Sequence, residues 1–272
     1  MATELANRTS IAASLSRSPV IGVVRTHAAD EAAAQARTLA DAGLELIEIT
    51  FTVPDAAALV RELIGGRRGS GPPWFGMGTV TTAARARQAL AAGAEFFVTP
   101  NVEPEVAREA RRAEIFLIMG ALTPSEIVAA REMGADLVKV YPLPPVSGPA
   151  YLATIRGPLG DVPMLAAGGF GVEEIPAYRQ AGAVAFGLAY SLLLGGAREG
   201  GGAESRRRIA HAVALATGNP EAAHTVAAAA APAVASALGF PGSHGPGSHG
   251  DLGNPGSLGD PGDLGSKSEE AR

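Results

Sequence analysis

The feature that most constrains this chain is a repeat of period rather than of residues. From residue 18 to about 194, short β-branched runs alternate with Ala/Arg/Glu segments of helical spacing, each run and its helix taking roughly 20 to 25 residues. Strands are expected over 20–25, 44–51, 74–80, 95–99, 115–119, 137–141, 163–166 and 184–187. Helices are expected between them, for instance over 28–42, 83–92 and 125–133, followed by Gly43, Gly93 and Gly134. Glycine just past a helix end supplies the left-handed residue that stops it. Eight such units predict an α/β chain closed into a (β/α)8 TIM barrel. An open doubly wound sheet is the competing arrangement. It carries a glycine-rich fingerprint after its first strand, whereas here Gly22 is followed by Val-Val-Arg-Thr-His.

The barrel is expected over 18–196, preceded by an N-terminal helical segment, 1–17, that packs across one end of it. Residues 197–238 read as a linker and a C-terminal helical segment, amphipathic over 203–217. Beyond them, Pro-Gly-Ser-His-Gly occurs at 241–245 and again at 246–250, with Pro-Gly-Ser-Leu-Gly and Pro-Gly-Asp-Leu-Gly following. A segment of that composition buries too little apolar surface to fold, so 239–272 is expected to be a disordered Gly/Pro/Ser/His tail. His244 and His249 within it are assigned no chemistry.

With 47% hydrophobic residues among 272, the chain can bury a full core. A net charge of -5 leaves no basic face for the phosphate contacts of nucleic acid. No apolar stretch approaches the roughly 20 residues of a membrane span. The first residues, Met-Ala-Thr-Glu-Leu-Ala-Asn-Arg, lack the hydrophobic segment of a signal peptide. A small-molecule ligand and a cytoplasmic location are therefore expected, with no nucleic acid and no membrane. The absence of cysteine removes disulfides, thiolate zinc sites and cysteine nucleophiles together.

Twenty arginines stand against two lysines, and one of these, Lys139, lies inside the apolar run Asp136-Leu-Val-Lys-Val-Tyr141. Arginine stays protonated and cannot act as an amine nucleophile, so a strand lysine kept against that bias suggests amine chemistry. Burial lowers the pKa of an amine and readies it to form a Schiff base with a carbonyl. The other reading is a strand-end lysine whose head reaches water. Alternation puts Leu137, Lys139 and Tyr141 on one face of the sixth strand, and Leu46, Glu48 and Thr50 on one face of the second. The intervening Val and Ile residues point to the helices, which turns Lys139 and Glu48 into the barrel. Buried charges are costly unless they pair or work. Glu48 either forms a salt bridge with Lys139 or Arg25, or moves protons.

Arg25 ends the first strand, where it either closes a loop or grips a carboxylate bidentately. Thr79 follows Gly76-Met-Gly78 and offers a hydroxyl to substrate oxygens. Gly168-Gly169 is expected to end the seventh strand and Gly187 the eighth, just before a helix, where barrels build phosphate sites from backbone N–H groups. Glycines at these places also serve as tight turns.

Five motifs, Ile-Glu-Ile-Thr (47–50), Gly-Met-Gly-Thr-Val (76–80), Val-Thr-Pro-Asn (98–101), Val-Lys-Val-Tyr-Pro (138–142) and Ala-Gly-Gly (167–169), occur in order along one barrel. In order and spacing they resemble the class I 2-keto-3-deoxy-6-phosphogluconate / 4-hydroxy-2-oxoglutarate (KDPG/KHG) aldolases. The Val-Val-Arg strand end, the Thr-Pro-Asn turn and Ser147-Gly-Pro-Ala-Tyr151 are most similar to the branch acting on the 6-phosphogalactonate compound. The resemblance implies a lyase that cleaves a 2-keto-3-deoxy sugar acid to pyruvate and an aldehyde without cofactor or metal. It implies Lys139 as the Schiff-base lysine and Glu48 as the general acid/base. Arg25, Thr79, Thr99, Pro100, Gly168, Gly169 and Gly187 would then bind substrate, and the assembly would be a homotrimer.

The chain departs from the family pattern at four places. Thr52 stands where much of the family has arginine, which leaves the substrate carboxylate to Arg25 and Thr79. Gly187-Leu188-Ala189 lacks the phosphate-binding serine, Ala167 replaces a threonine, and Tyr141 replaces a phenylalanine. Two other classes fit the same residues. One is a phosphate-binding barrel, a transferase or isomerase, that uses Lys139 only as a charge. The other is a ligand-binding barrel in which Lys139 and Glu48 are a structural pair.

Overall fold

The computed structural model describes residues 2–67, 69–195 and 202–219, with side chains from residue 8 onward. The tail with His244 and His249 lies outside the described residues, as does the Ala-rich segment before it. The chain runs α1 (Ala2–Arg17), β1 (Val20–Val24), α2 (Ala29–Asp41), β2 (Leu46–Thr50), α3 (Ala56–Gly66), β3 (Trp74–Gly78), α4 (Ala83–Ala91) and β4 (Phe96–Val98). It continues through α5 (Pro104–Arg112), β5 (Phe116–Ala121), α6 (Pro124–Glu132), β6 (Leu137–Val140), α7 (Pro149–Arg156), β7 (Met164–Ala167), α8 (Ile175–Gln180), β8 (Ala185–Ala189), α9 (Tyr190–Leu194) and α10 (Ala203–Thr217). The eight strands pair in parallel, each with its chain neighbour, and β8 closes on β1. This is the expected TIM barrel.

The alternation along each strand separates two cores. Ile47, Ile49, Phe75, Met77, Val138, Val140 and Phe186 face outward into the layer beneath the helices. Ile21, Leu46, Trp74, Phe96, Phe116, Leu137 and Leu165 face inward. Because a strand's side-chain period is two, both surfaces of every strand are covered, as a parallel sheet requires. Gly43, Gly93 and Gly134 end α2, α4 and α6 at φ 89°, 85° and 91°, as their positions in the sequence predict.

The barrel interior is uneven along its axis. At the N-terminal end of the strands it is filled by Trp74, Phe96, Phe116 and Leu137, and Ile11 and Leu15 of α1 close it from below. Ser14 of α1 accepts a hydrogen bond from the Trp74 indole at 2.9 Å. At the C-terminal end some inward positions are glycine. A Cβ on Gly120 would meet the Pro100 carbonyl carbon at 2.2 Å, so only glycine lets the turn after β4 lie against β5. The barrel is therefore solid and closed by α1 at one end and open to a narrow cavity at the other.

Carboxylates pin the solid end. Glu45, Glu95 and Asp136 each stand one residue before an even-numbered strand, two after a helix-ending glycine. Arg17 donates to Glu45 at 2.7 Å, and Arg67 holds Glu95 bidentately at 2.8 and 2.9 Å. Glu95 also accepts the Phe75 N–H at 2.9 Å. Asp136 receives Arg8 Nε at 2.8 Å and the Leu117 N–H at 2.8 Å. Burial pushes the Asp136 carboxyl above the ordinary carboxylate range, while the Arg8 guanidinium and the Leu117 amide act in the opposite sense.

Candidate active site

The C-terminal end holds a narrow cavity whose walls include Val23, Glu48, Val98, Ile118, Lys139, Leu165 and Gly187. Glu48 and Lys139 are the only ionisable groups in that wall, brought together from β2 and β6 on opposite sides of the barrel. Glu48 is 2% exposed and Lys139 8%. The expected inward face of both strands is thus the observed one. The salt bridge weighed for Glu48 is not made: among the described residues it pairs with neither Lys139 nor Arg25, and its Oε1 is buried without a hydrogen-bond partner. Neither does Lys139 have a hydrogen-bond partner or an ion pair there.

Glycine makes room for the carboxylate. A Cβ at Gly78 would lie 1.9 Å from Glu48 Oε1, so the side chain occupies the space a residue on β3 would otherwise fill. Phe96 fills the corresponding space over Gly76 in the same way. Tyr141, one residue past β6, shares the inward face of Lys139 and sets its ring 5.3 Å from Nζ.

The mouth residues differ in what they are free to do. Arg25 lies just past β1, exposed and without an ion pair among the described residues. Thr79 is held at φ 59°, a left-handed conformation that a β-branched residue adopts only under constraint. Arg85 supplies that constraint, donating to the Thr79 carbonyl at 3.2 Å and to the Thr81 hydroxyl at 2.8 Å. Its guanidinium lies over the Phe51 ring at 5.4 Å. The Thr79 hydroxyl itself has no partner among the described residues. The Thr52 hydroxyl sits 2.7 Å from the Thr50 hydroxyl, and Thr50 donates to the Val24 carbonyl at 3.2 Å.

The other expected site residues also take part in the fold, and one of them, Gly187, does not sit where the sequence predicts. The Thr99 hydroxyl donates its proton to the Asn101 carbonyl at 2.6 Å and accepts the Gly120 N–H at 2.9 Å. It braces the turn after β4, and Pro100 contributes backbone to the same turn. Gly187 does not end β8 but lies in its middle, because the strand runs on to Ala189 before α9 starts. There it lines the cavity, and its missing side chain widens the space beside Leu165 and Ala167. The glycine pair after β7 divides its work. Gly168, at φ 134°, packs so closely that a Cβ would lie 2.8 Å from the Leu143 nitrogen, whereas Gly169, at φ 101°, faces open space. Sequence reasoning missed Arg85, whose only signal is an arginine in the first turn of the helix after Gly-Met-Gly-Thr-Val.

A buried amine, a buried unpaired carboxyl and an open mouth at the C-terminal end of a barrel make a site suited to covalent carbonyl chemistry. Comparison with known proteins leads to the same place. The family model for KDPG and KHG aldolase matches residues 11–195. A probable 2-dehydro-3-deoxy-6-phosphogalactonate aldolase of Rhizobium meliloti is 32% identical over 175 residues, which span 64% of this chain and 81% of that protein. A solved 4-hydroxy-2-oxoglutarate/2-dehydro-3-deoxyphosphogluconate aldolase is 29% identical, with a TM-score of 0.64 over 75% of this chain and 98% of the other. A KDPG aldolase of Legionella pneumophila, solved with pyruvate captured as a covalent carbinolamine intermediate, is 25% identical. Its TM-score is 0.59 over 76% of this chain and 96% of the other. On the match across the whole barrel, the chain belongs to the KDPG/KHG aldolase family.

Proposed function

We propose that this protein is a class I aldolase that cleaves a 2-keto-3-deoxy sugar acid to pyruvate and an aldehyde, with Lys139 as its Schiff-base residue and Glu48 as its proton shuttle. The observation that carries the reading is that both groups are buried and unpaired in one cavity. Neutral Lys139 Nζ attacks the C2 ketone of the substrate. Glu48 supplies the proton with which the carbinolamine hydroxyl leaves as water, and the iminium becomes an electron sink. Glu48 then takes the proton of the C4 hydroxyl, the C3–C4 bond breaks, and its electron pair moves into the iminium to give an enamine. The aldehyde departs, C3 is protonated, and water hydrolyses the iminium to release pyruvate and the free lysine.

Arg25 and the free hydroxyl of Thr79 are the proposed carboxylate ligands, and Gly169 and Gly187 border the rest of the substrate. Among the compounds that the relatives are named for, Ala189 at the start of α9 favours 4-hydroxy-2-oxoglutarate over a phosphorylated sugar acid, since no side chain caps that helix. A homotrimeric assembly and a cytoplasmic location complete the reading.

The test is intact-mass analysis after borohydride reduction with pyruvate, on the wild type and on Lys139→Ala. A stable reduced adduct on the wild type alone is expected. No adduct on folded wild-type protein would overturn the reading and favour a barrel that uses Lys139 as a charge.

A further inference from the structure

Lys139 lacks a carboxylate, but it has an aromatic neighbour. Its Nζ lies 5.3 Å from the centre of the Tyr141 ring, within the range at which the negative face of an aromatic system attracts a cation. The two residues are consecutive on the inward face of β6 and its extension. Tyr141 packs against the interior cluster of the barrel, which fixes its ring. Its hydroxyl does not: it has no hydrogen-bond partner among the described residues, whereas the Tyr151 hydroxyl donates to the Leu122 carbonyl at 2.8 Å.

The charge on Nζ changes during carbonyl chemistry. The nitrogen is neutral when its lone pair forms the bond to carbon. Once the carbinolamine hydroxyl has left as water, the nitrogen of the protonated C=N bond carries a positive charge. Apart from Glu48, the side chains that line the cavity with Lys139 are apolar, Val98, Ile118 and Leu165 among them, and in so apolar a place an aromatic face is worth more than it is in water. Glu48, the other charged group of the wall, forms no ion pair with the lysine.

We propose that the ring of Tyr141, and not its hydroxyl, stabilises the positive charge that Lys139 Nζ carries as an iminium. The proposal rests on the Schiff-base reading of Lys139. The ring gives up no atom or electron pair; it faces the charge and lowers the energy of the state that has it.

The experiment is borohydride trapping with sub-saturating pyruvate, followed by intact mass, on the wild type, Tyr141→Phe, Tyr141→Leu and a series with mono-, di- and trifluorophenylalanine at position 141. Fluorine withdraws density from the ring face at nearly constant volume, so the series separates electrostatics from packing. Tyr141→Phe should trap within about twofold of the wild type. Tyr141→Leu should fall by about threefold to thirtyfold, and the fluorinated variants should decline stepwise between them. A flat fluorine series, or a loss in Tyr141→Phe as large as that in Tyr141→Leu, would overturn the proposal. Absence of adduct on the wild type would instead remove the Schiff-base reading beneath it.

Discussion

The two ends of the barrel handle buried charge in opposite ways. At the N-terminal end Glu45, Glu95 and Asp136 are buried, and each is met by an arginine, with a backbone amide added at Glu95 and Asp136. At the C-terminal end Glu48 and Lys139 are as deeply buried, yet neither is paired, although they line the same cavity. A charge moved out of water is tolerable when a partner and hydrogen bonds replace what the water supplied. The lower set meets that condition and holds strands to α1 and to the loop after α3. The upper pair does not, and an arrangement that lowers stability is retained where it is used. Partnering, more than burial or residue type, separates the charges that build this fold from those proposed to do its chemistry.

The largest effects should come from the upper pair, and they should appear in rate without a loss of stability. Lys139→Met keeps an unbranched side chain of similar length and removes a buried amine that has no hydrogen-bond or ion-pair partner among the described residues. Turnover of the cleaved keto acid, followed by coupled pyruvate detection, should fall by a factor on the order of 10^4 or more. Glu48→Gln should cost about 10^2 to 10^4 in kcat, the range of a lost acid/base group. Both variants should melt at or above the wild-type temperature, since each replaces a buried ionisable group that has no partner. A clear drop in melting temperature for either would mean that the upper charges are structural as well, and the contrast between the ends would fail.

The lower set should show the converse. Removing the carboxylate of Glu95 leaves Arg67 buried, and breaking such a pair costs about 3–5 kcal/mol. Denaturant unfolding of Glu95→Ala should show that loss. The kcat of the protein that remains folded should change by less than about twofold, because the pair lies at the far end of the barrel from Lys139. A large fall in kcat at unchanged stability would break the comparison from its other side.

How much of this was legible in the sequence follows the same division. Period-two alternation on β2 and β6 placed Glu48 and Lys139 inside the barrel, because strand geometry turns a local pattern directly into a direction. The scarcity of lysine then separated Lys139 from an ordinary surface charge. The lower carboxylates were not legible. Glu45 and Glu95 fall within expected strands and Asp136 borders one, with no local pattern to mark them as paired, and their partners come from distant segments, as with Arg8 and Asp136, 128 residues apart. The bracing role of Thr99 was hidden for a related reason. Its motif suits a ligand contact, but which backbone groups a hydroxyl also meets depends on what the fold brings to it, here Gly120 and Asn101. Gly187 moved from strand end to mid-strand because an apolar Leu-Ala continuation does not mark where a strand gives way to a helix.

The smallest expected effect tests whether partnering also governs an exposed carboxylate. Glu126 closes the capping box of α6: it accepts the Thr123 N–H at 2.8 Å and the Leu122 N–H at 2.9 Å, while Thr123 caps its own amide. The backbone hydrogen bond from Thr123, followed by that from Leu122, holds its carboxyl below the ordinary value of 4.5. The sign follows from the proton count. Between the lowered native value and 4.5 the unfolded chain binds more protons than the folded one, so stability rises with pH through that window. The contribution is fully present above 4.5 and is lost as pH falls through the native value. Because the group is exposed, the effect should be a few tenths of a kcal/mol after screening. Chemical unfolding of the wild type and Glu126→Ala should therefore differ at pH 7 and converge as the solution is acidified through that window. A gap that stays constant down to pH 3 would show that the cap acts through packing rather than through its charged hydrogen bonds.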